Sequence, residues 1–246
     1  MAVKSETQQR TGLRSLELMY EPVYDADLDD VVAYRAIQRI NNPDIGVILP
    51  EQFMPVAVRS VQCVKLAVWA LENAVEAIAA LVRKDIFFEW ISVHIPIKFL
   101  KSEEFFETLS TVISANEIET RKLRCELPPD LLYESPEEIN PLLARISALG
   151  IFTYVSDFGG HFCPVMRLSE FDVSGAVIDP EVCHRLQFDE KIEGVFSLIE
   201  MVKSMDKQVL LSAVDLKDVA ALAEDRECNL MTGEVAGKQR KFSHIR

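Results

Sequence analysis

The strongest constraint on the fold is a regular alternation of short apolar runs with longer amphipathic segments. Eight runs of strand-like composition recur along the chain, and helical periods separate most of them. Eight strands that alternate with helices predict one closed (β/α)8 barrel of the TIM-like kind. A doubly wound open sheet is the alternative on pattern alone. The runs are "SLELMYEPVY", "VVAYRAI", "FFEWISVHI", "KLRCEL", "IFTYVSDF", "VSGAVID", "QVLLSAV" and "CNLMTG".

The helical segments begin and end at residues that favour those positions. Ser135-Pro136-Glu137-Glu138 predicts the start of one helix, and Gly150 predicts its end. The longest segment contains charged residues, which indicates a helix of a soluble domain rather than a membrane span. The predicted helices are "PEQFMPVAVRSVQCVKLAVWALENAVEAIAALVRK", "SEEFFETLSTVISAN", "SPEEINPLLARISALG", "DEKIEGVFSLIEMVKSM" and "DLKDVAALAEDRE".

The regular alternation of predicted strands and helices indicates one domain with short flanking segments. We expect a flexible lead-in over 1–14, a single barrel domain over 15–236 and a basic C-terminal tail over 237–246, which we interpret as solvated. The N-terminal segment has no apolar core of the kind found in signal peptides, and the five cysteines form no CxxC pair. These features predict a cytoplasmic protein with reduced thiols.

Net charge narrows the range of partners. The chain has 26 basic and 39 acidic side chains, a formal charge of −13. This balance argues against binding a nucleic-acid backbone, and nothing in the composition indicates a membrane partner.

In a parallel barrel, the residues at the C-terminal strand ends converge on one face, where the loops build the site. Carboxylates in this set could hold Mg²⁺ or Ca²⁺, but an arginine in the same space would pair with a carboxylate and repel the ion. The histidines beside Cys163 and Cys183 could suggest zinc, but their spacing is typical of buried cysteines near loop histidines. The strand-end residues are Arg35, His94, Glu126, Asp157, Asp179, Asp215 and Thr232.

Several segments resemble EAL-type cyclic di-GMP phosphodiesterase domains in order and spacing. The resemblance runs from Leu16 to about Gly233, and its most specific pieces are "ILPEQFMPVA" and the block "ALGIFTYVSDFGG". It implies a TIM-like barrel whose first strand is antiparallel to the rest. It also implies a reaction in which two divalent ions, held by strand-end carboxylates and an asparagine, activate a water that attacks one phosphodiester bond.

Most of the residues that this chemistry needs are replaced when the family motif is carried over. The replaced positions are Arg35, His94, Pro129, Ser156, Val177, Ser212 and Thr232. Glu126 and Asp157 match, and Asp215 stands for a neighbouring glutamate. The resemblance therefore predicts that the chain is not an enzyme, with no catalytic residue, bound metal or cofactor. We interpret Asp157 as a relic of the metal site and expect it to pair with Arg35.

Three functions remain open at this stage. The first is a catalytically inactive regulatory protein that binds another protein in cyclic di-GMP-related signalling. The second is a non-hydrolysing cyclic di-GMP receptor, with Arg39 at the position of a phosphate-contacting arginine. The third is an active phosphodiesterase. We expect weak or no cyclic di-GMP binding, and the resemblance implies a homodimer. The relic pocket comprises Arg35, Arg39, His94, Glu126, Asp157 and Asp215, and Arg35 predicts a preference for anions there.

Overall fold

In the computed structural model, which describes residues 15–60, 62–161, 163–188 and 192–245, the eight predicted strands close into one barrel. A further short strand, β3, pairs with the upper part of β2 and lies outside the barrel. The strands are β1 (Leu16–Asp25), β2 (Asp30–Asn42), β3 (Gly46–Ile48), β4 (Trp90–His94), β5 (Leu123–Leu127), β6 (Phe152–Phe158), β7 (Gly175–Ile178), β8 (Gln208–Leu211) and β9 (Leu230–Met231).

The first strand is antiparallel to both of its neighbours, as the resemblance implied. β1 pairs with β2 on one side and with β9 on the other, whereas the barrel strands from β2 through β9 are parallel. Only a short turn joins β1 to β2, with Asp29 in the left-handed region at φ 51°. A connection this short can join antiparallel strands only, because a parallel crossover needs a dozen residues or more.

The helices surround the barrel. They are α1 (Pro50–Ala57), α2 (Gln62–Arg83), α3 (Ile97–Leu100), α4 (Glu103–Asn116), α5 (Pro136–Ala148), α6 (Pro180–Phe188), α7 (Ile192–Lys203) and α8 (Lys217–Glu224). The long helix predicted over 50–84 is two helices. The hydroxyl of Ser60 donates to the carbonyl of Ala57 and accepts from the backbone N–H of Gln62, so Ser60 ends one helix and caps the next.

α6 is a helix that the pattern did not predict. Its sequence "PEVCHRLQF" is short and mostly polar, so its periodicity is weak. The backbone N–H groups of Glu181 and Val182 donate to Oδ1 of Asp179 at 2.8 and 3.2 Å. This cap fixes the start of the helix directly after β7.

Two apolar layers stabilise the barrel. The larger lies between the strands and the surrounding helices, and it contains most of the buried side chains. The smaller fills the middle of the barrel and includes Val23, Ala33, Tyr154, Val177 and Leu210. Because side chains alternate between the two faces of a strand, most barrel strands contribute to both layers. The middle layer separates the two ends of the barrel interior.

The C-terminal segment packs on β1 and is not the solvated tail that its composition suggests. Arg240 and Tyr20 exchange backbone hydrogen bonds of 2.8 and 3.0 Å, Phe242 packs edge-on against the Tyr20 ring, and Ile245 is only 3% exposed. The physical reason is an unpaired strand edge. β9 pairs only with Tyr24 and Asp25 of β1, so the tail satisfies the backbone groups of Tyr20.

None of the helices in the described ranges is long and apolar enough to cross a membrane.

Candidate functional site

Three charged side chains meet inside the upper part of the barrel. Glu21 on β1 lies directly opposite Arg35 on β2 in the antiparallel register, so both point to the same face. Glu126 belongs to β5, which lies two strands from β2, and the small Ser92 on the intervening β4 leaves room between them. The long arginine side chain can therefore reach across the interior.

Arg35 holds both glutamates. Its Nε and Nη2 donate to the two oxygens of Glu126, each at 2.8 Å, and its Nη1 donates to Glu21 at 3.0 Å. The Ser92 hydroxyl adds a hydrogen bond of 2.5 Å to Oε1 of Glu126. The side chains of Arg35 and Glu126 are only 13% and 8% exposed. This is a buried, two-pronged ion pair with a second carboxylate at its edge.

The pair fixes the charge states of its members. Burial alone would raise the pKa of Glu126, but the charge of Arg35 and the hydrogen bonds from Arg35 and Ser92 hold that pKa below its ordinary value. Burial would lower the pKa of Arg35, but the charge and hydrogen bonds of Glu126 together with the charges of Glu21 and Asp157 outweigh burial and raise that pKa. Both groups are therefore ionised at neutral pH.

His94 and Asp157 stand beside this pair without joining it. Burial is the main cause that lowers the pKa of His94, so its imidazole is neutral at pH 7. Burial likewise raises the pKa of Asp157, against the opposing charge of Arg35. Asp157 is an exposed residue at the barrel mouth, but the protein atoms around its carboxyl group keep much of the water away from it, and Ser156 donates a hydrogen bond to it at 3.2 Å.

The predicted pairing of Asp157 with Arg35 is wrong. Asp157 lies on β6, which is three strands from β2 around the barrel. Glu126 lies on β5, two strands from β2, and Glu21 lies on β1, which pairs with β2 directly. Together these two glutamates use all three nitrogens of the Arg35 guanidinium. Asp157 acts on Arg35 only through its charge at longer range. The backbone at Asp157 is in the left-handed region at φ 50°, where the strand bulges.

Other strand-end residues stabilise the local backbone. Asp179 caps α6, and Oδ1 of Asp215 accepts the backbone N–H of Glu234 at 3.0 Å. The Ser212 hydroxyl donates to the carbonyl of Ile178 at 2.5 Å, and the hydroxyl of Thr232 accepts the N–H of Ala213 at 3.3 Å. These residues end the strands and shape the loops, but they do not join the charged cluster.

Arg39 lies four residues after Arg35 on the same face of β2, above the cluster. Its Nε and Nη2 donate to one oxygen of Glu17 at 3.1 and 2.9 Å. Both arginines near the pocket are thus neutralised by glutamates. The preference of the pocket for anions stays a prediction, and the local charges argue against it, because Glu21, Glu126 and Asp157 outnumber Arg35, the one cation of the cluster.

Sequence reasoning missed Glu21 and Ser92, which complete the environment of Arg35 and Glu126. The signal for Glu21 was present in the alternation of "ELMYEPVYD", where it points to the same face as Met19 and Val23. The contact between Glu21 and Arg35 depends on the register of β1 against β2. The alternation pattern of one strand does not specify that register.

Comparison with known proteins supplies the family. A model of the EAL domain matches residues 5–239 of the 246-residue chain. The chain belongs to the EAL domain family. The oxygen sensor protein DosP of Escherichia coli strain K12 is 22% identical over 219 residues, which cover 89% of this chain and 27% of DosP. The bifunctional diguanylate cyclase/cyclic di-GMP phosphodiesterase MucR of Pseudomonas aeruginosa is 20% identical over 235 residues, which cover 95% of this chain and 34% of MucR. This chain therefore spans about a third or less of the length of these relatives.

Solved EAL structures share the fold. The PaMucR phosphodiesterase in complex with cyclic di-GMP superposes with a TM-score of 0.86 at 18% identity, covering 97% of this chain and 98% of that one. The FimX EAL domain of Pseudomonas aeruginosa bound to cyclic di-GMP gives a TM-score of 0.81 at 19% identity, covering 95% and 94%. At these identities the likeness shows the EAL barrel fold.

The two divalent ions that the EAL resemblance implies do not fit the residues present. A hard cation needs free carboxylate oxygens, whereas both oxygens of Glu126 accept hydrogen bonds from Arg35. The guanidinium itself lies in the space beside them and would repel an ion. Within the described ranges, no group of three or more His, Cys, Asp or Glu side chains could share a metal ion.

Proposed function

We propose that this EAL-family chain is a catalytically inactive regulatory protein of the cytoplasm that binds another protein in cyclic di-GMP-related signalling. The observation that supports this proposal is the two-pronged pairing of Arg35 with Glu126. Two-metal hydrolysis requires ions that clamp the attacking and leaving oxygens. Here the Arg35 guanidinium binds both oxygens of Glu126, a carboxylate that would help to hold these ions.

The same arrangement argues for weak or no cyclic di-GMP binding. Arg39 would have to leave Glu17 to contact a phosphate, and the remaining cluster carries excess negative charge. The ligand's two phosphates would therefore enter a pocket of the same sign without a metal to offset it.

An apolar surface beside β3 is the place where we propose that a protein partner binds. Five large apolar side chains between residues 45 and 58 are exposed by 45 to 72%. β3 is the end strand of the sheet, so its outer edge is open for pairing. The five are Ile45, Val47, Leu49, Val56 and Val58. Several exposed apolar side chains within one short stretch of chain are typical of interaction sites.

The aromatic-rich segments "FFEW" and "EEFFETL" are weaker candidates for such a surface. Phe88, Trp90 and Phe105 are buried, Phe106 packs partly against the core, and only Phe87 is largely exposed, at 68%. Most of these aromatics thus stabilise the fold, in agreement with the alternation of the strand and helix that carry them.

A hydrolysis assay tests the proposed loss of activity. Purified protein with cyclic di-GMP and either Mg²⁺ or Mn²⁺ should release no linear dinucleotide, with the PaMucR phosphodiesterase as a positive control. Arg35→Glu alone should not restore activity, because one carboxylate does not rebuild two ion sites. Metal-dependent product that disappears in Glu126→Gln and Asp157→Ala would overturn the proposal.

Calorimetric titration distinguishes the regulatory protein from the receptor. Cyclic di-GMP should give no saturable heat with or without Mg²⁺. Saturable binding that is lost in Arg39→Ala, without product formation, would instead establish the receptor; the FimX EAL domain is an example of this fold solved with cyclic di-GMP bound. Size-exclusion chromatography with light scattering tests the homodimer that we propose in addition.

A further inference from the structure

The end of the barrel opposite the charged cluster contains a second arginine in an unusual environment. Arg124 is the second residue of β5 and points into the barrel two positions before Glu126. It is only 8% exposed, and the structure gives it no ion pair with any described carboxylate. Burial lowers the pKa of its guanidinium. A guanidinium removed from water without a partner carboxylate is costly, and such groups usually serve a purpose.

Aromatic rings enclose this guanidinium. Its Cζ lies 4.1 Å from the ring centre of Trp90, 5.1 Å from that of Tyr154 and 5.3 Å from that of Phe152. Trp90 and Tyr154 are buried, whereas Phe152 is 44% exposed and forms the wall toward solvent. Cation–π contacts offset part of the free-energy cost of desolvation. They involve the face of the guanidinium and do not satisfy the hydrogen-bonding needs of the N–H groups at its edge.

Only one edge of the guanidinium is used. Nη1 donates to the Tyr154 hydroxyl at 2.6 Å, and that hydroxyl donates in turn to Oε1 of Gln208. Nε has no hydrogen-bond partner, although it is buried. The indole N–H of Trp90, in the same aromatic cluster, is also buried without a partner. The cluster therefore has two unsatisfied donors and lacks an acceptor.

The same molecule shows what such an edge binds. In Arg35, Nε and Nη2 together hold both oxygens of the Glu126 carboxylate. In Arg124 the corresponding Nε is buried without a hydrogen-bond partner, and Nη2 makes no hydrogen bond to any residue in the described part of the chain. We propose that the N-terminal end of the barrel is a carboxylate-binding site, in which Arg124 receives a carboxylate on its Nε and Nη2 edge beside the solvent-facing ring of Phe152.

The ligand class follows from the shape and charge of the site. A planar carboxylate matches the two parallel N–H groups, as in the Arg35 pair, and its bound charge would offset the buried guanidinium. The aromatic walls favour a ligand with a small apolar body. A free small carboxylate and a glutamate side chain of another protein share this chemistry, and the experiment separates them. This site is at the opposite end of the barrel from the cluster and is independent of the proposed function.

Arginine side-chain NMR tests the proposal directly. In protein labelled with ¹⁵N-arginine, the Nε–H resonance of Arg124 is assigned by its absence in Arg124→Lys. Titration with sodium acetate should move this resonance in a saturable way, while the Arg35 resonance, which already has its carboxylate, stays in place. Sodium chloride at the same ionic strength should not reproduce the shift. Acetate affinity measured by calorimetry should fall about tenfold or more in Arg124→Lys, because lysine lacks the fork.

Matched variants and ligands complete the design. Arg121→Lys, three residues earlier and exposed, should leave acetate binding unchanged. If Arg124→Lys does not fold, Phe152→Ala replaces it, and it should alter acetate affinity while the shift remains at Arg124. N-acetylglutamate amide that binds more tightly than acetate identifies a protein side chain as the source, and tighter acetate binding identifies a free acid. No saturable shift with either ligand, or an equal shift with chloride, overturns the proposal.

Discussion

Arg35 organises the charged side chains at one end of the barrel interior. It places a fixed positive charge between Glu21 and Glu126, and the hydroxyl of Ser92 completes the hydrogen bonding of the buried carboxylate. The three charged side chains depend on one another, since both glutamates form their ion pair with the same guanidinium. Truncating one member of such a buried pair leaves an uncompensated charge, which is more harmful than replacing the whole pair.

We predict that Arg35→Leu lowers the free energy of unfolding by roughly 3–5 kcal/mol, because Glu126 is left buried without its partner. Urea denaturation at pH 7 measures the loss. The double variant Arg35→Leu/Glu126→Leu should recover a large part of it. Arg39→Leu on the same strand is the matched control, and it should cost only about 1 kcal/mol or less because its pair with Glu17 is more exposed. Equal losses in the two single variants would contradict the prediction.

We predict that Asp157→Asn raises stability at neutral pH. Burial raises the pKa of Asp157 in the folded state, so the folded protein favours the protonated form, and this group's contribution is present at low pH and lost as pH rises through that pKa. Asparagine removes the charge and tolerates the left-handed backbone at φ 50°. Thermal unfolding should show a higher midpoint at pH 7 and a smaller difference near pH 3. A lower midpoint at pH 7 would show that attraction to Arg35 dominates.

At the scale of elements, β1 decides how the barrel closes. It is the one antiparallel barrel strand, it supplies Glu21 to the cluster, and its far edge is shared between the short β9 and the C-terminal segment. The tail therefore acts as part of the wall, because its backbone pairs with Tyr20 and its side chains cover that ring. Its basic composition gave no sign of this packing.

We predict that Ile245→Ala lowers the free energy of unfolding by about 2 kcal/mol, the low end for a buried isoleucine because Ile245 lies outside the helices and strands, where the backbone can relax around the cavity. Ile245 is 3% exposed, and its neighbour His244 is exposed. Urea denaturation of Ile245→Ala and of the control His244→Ala measures the difference. Closely similar midpoints for the two variants would show that the tail does not contribute to the barrel wall.

For the whole molecule, the excess of acidic side chains sets the electrostatic background. With 39 acidic and 26 basic residues, the formal charge is −13, and the compact state brings these charges together. Mobile ions screen repulsion between exposed charges over about 8–10 Å at physiological salt, but they act much less on buried pairs. Salt should thus affect the surface and the interior differently.

We predict that the melting temperature rises when NaCl is increased from about 10 to 150 mM, because screening relieves self-repulsion in the folded state. The stability difference between wild type and Arg35→Leu should stay nearly constant over the same range, since that pair is buried. Calorimetry of both proteins at several salt concentrations gives both quantities. A melting temperature that falls with salt would mean that surface ion pairs outweigh the net repulsion.

The sequence by itself determined the strands and the class of fold. Apolar alternation depends on neighbours in the chain, so runs such as "KLRCEL" and "VSGAVID" could be identified as barrel strands before any contact was known. It also placed Arg35 and Glu126 in the same pocket, because the ends of barrel strands converge. The motif further predicts which family positions are replaced in this chain.

Only the tertiary structure decided which charged side chains form ion pairs with each other. Arg35 binds Glu126 and Glu21 rather than Asp157 because the register of β1 and the order of strands around the barrel set the distances. Arg124 looked like an ordinary strand residue until the closed barrel surrounded it with aromatic rings and left it without an ion pair among the described residues, with Glu89 and Glu126 acting only through their charge. These outcomes depend on residues far apart in the chain, whose relative positions no local pattern records.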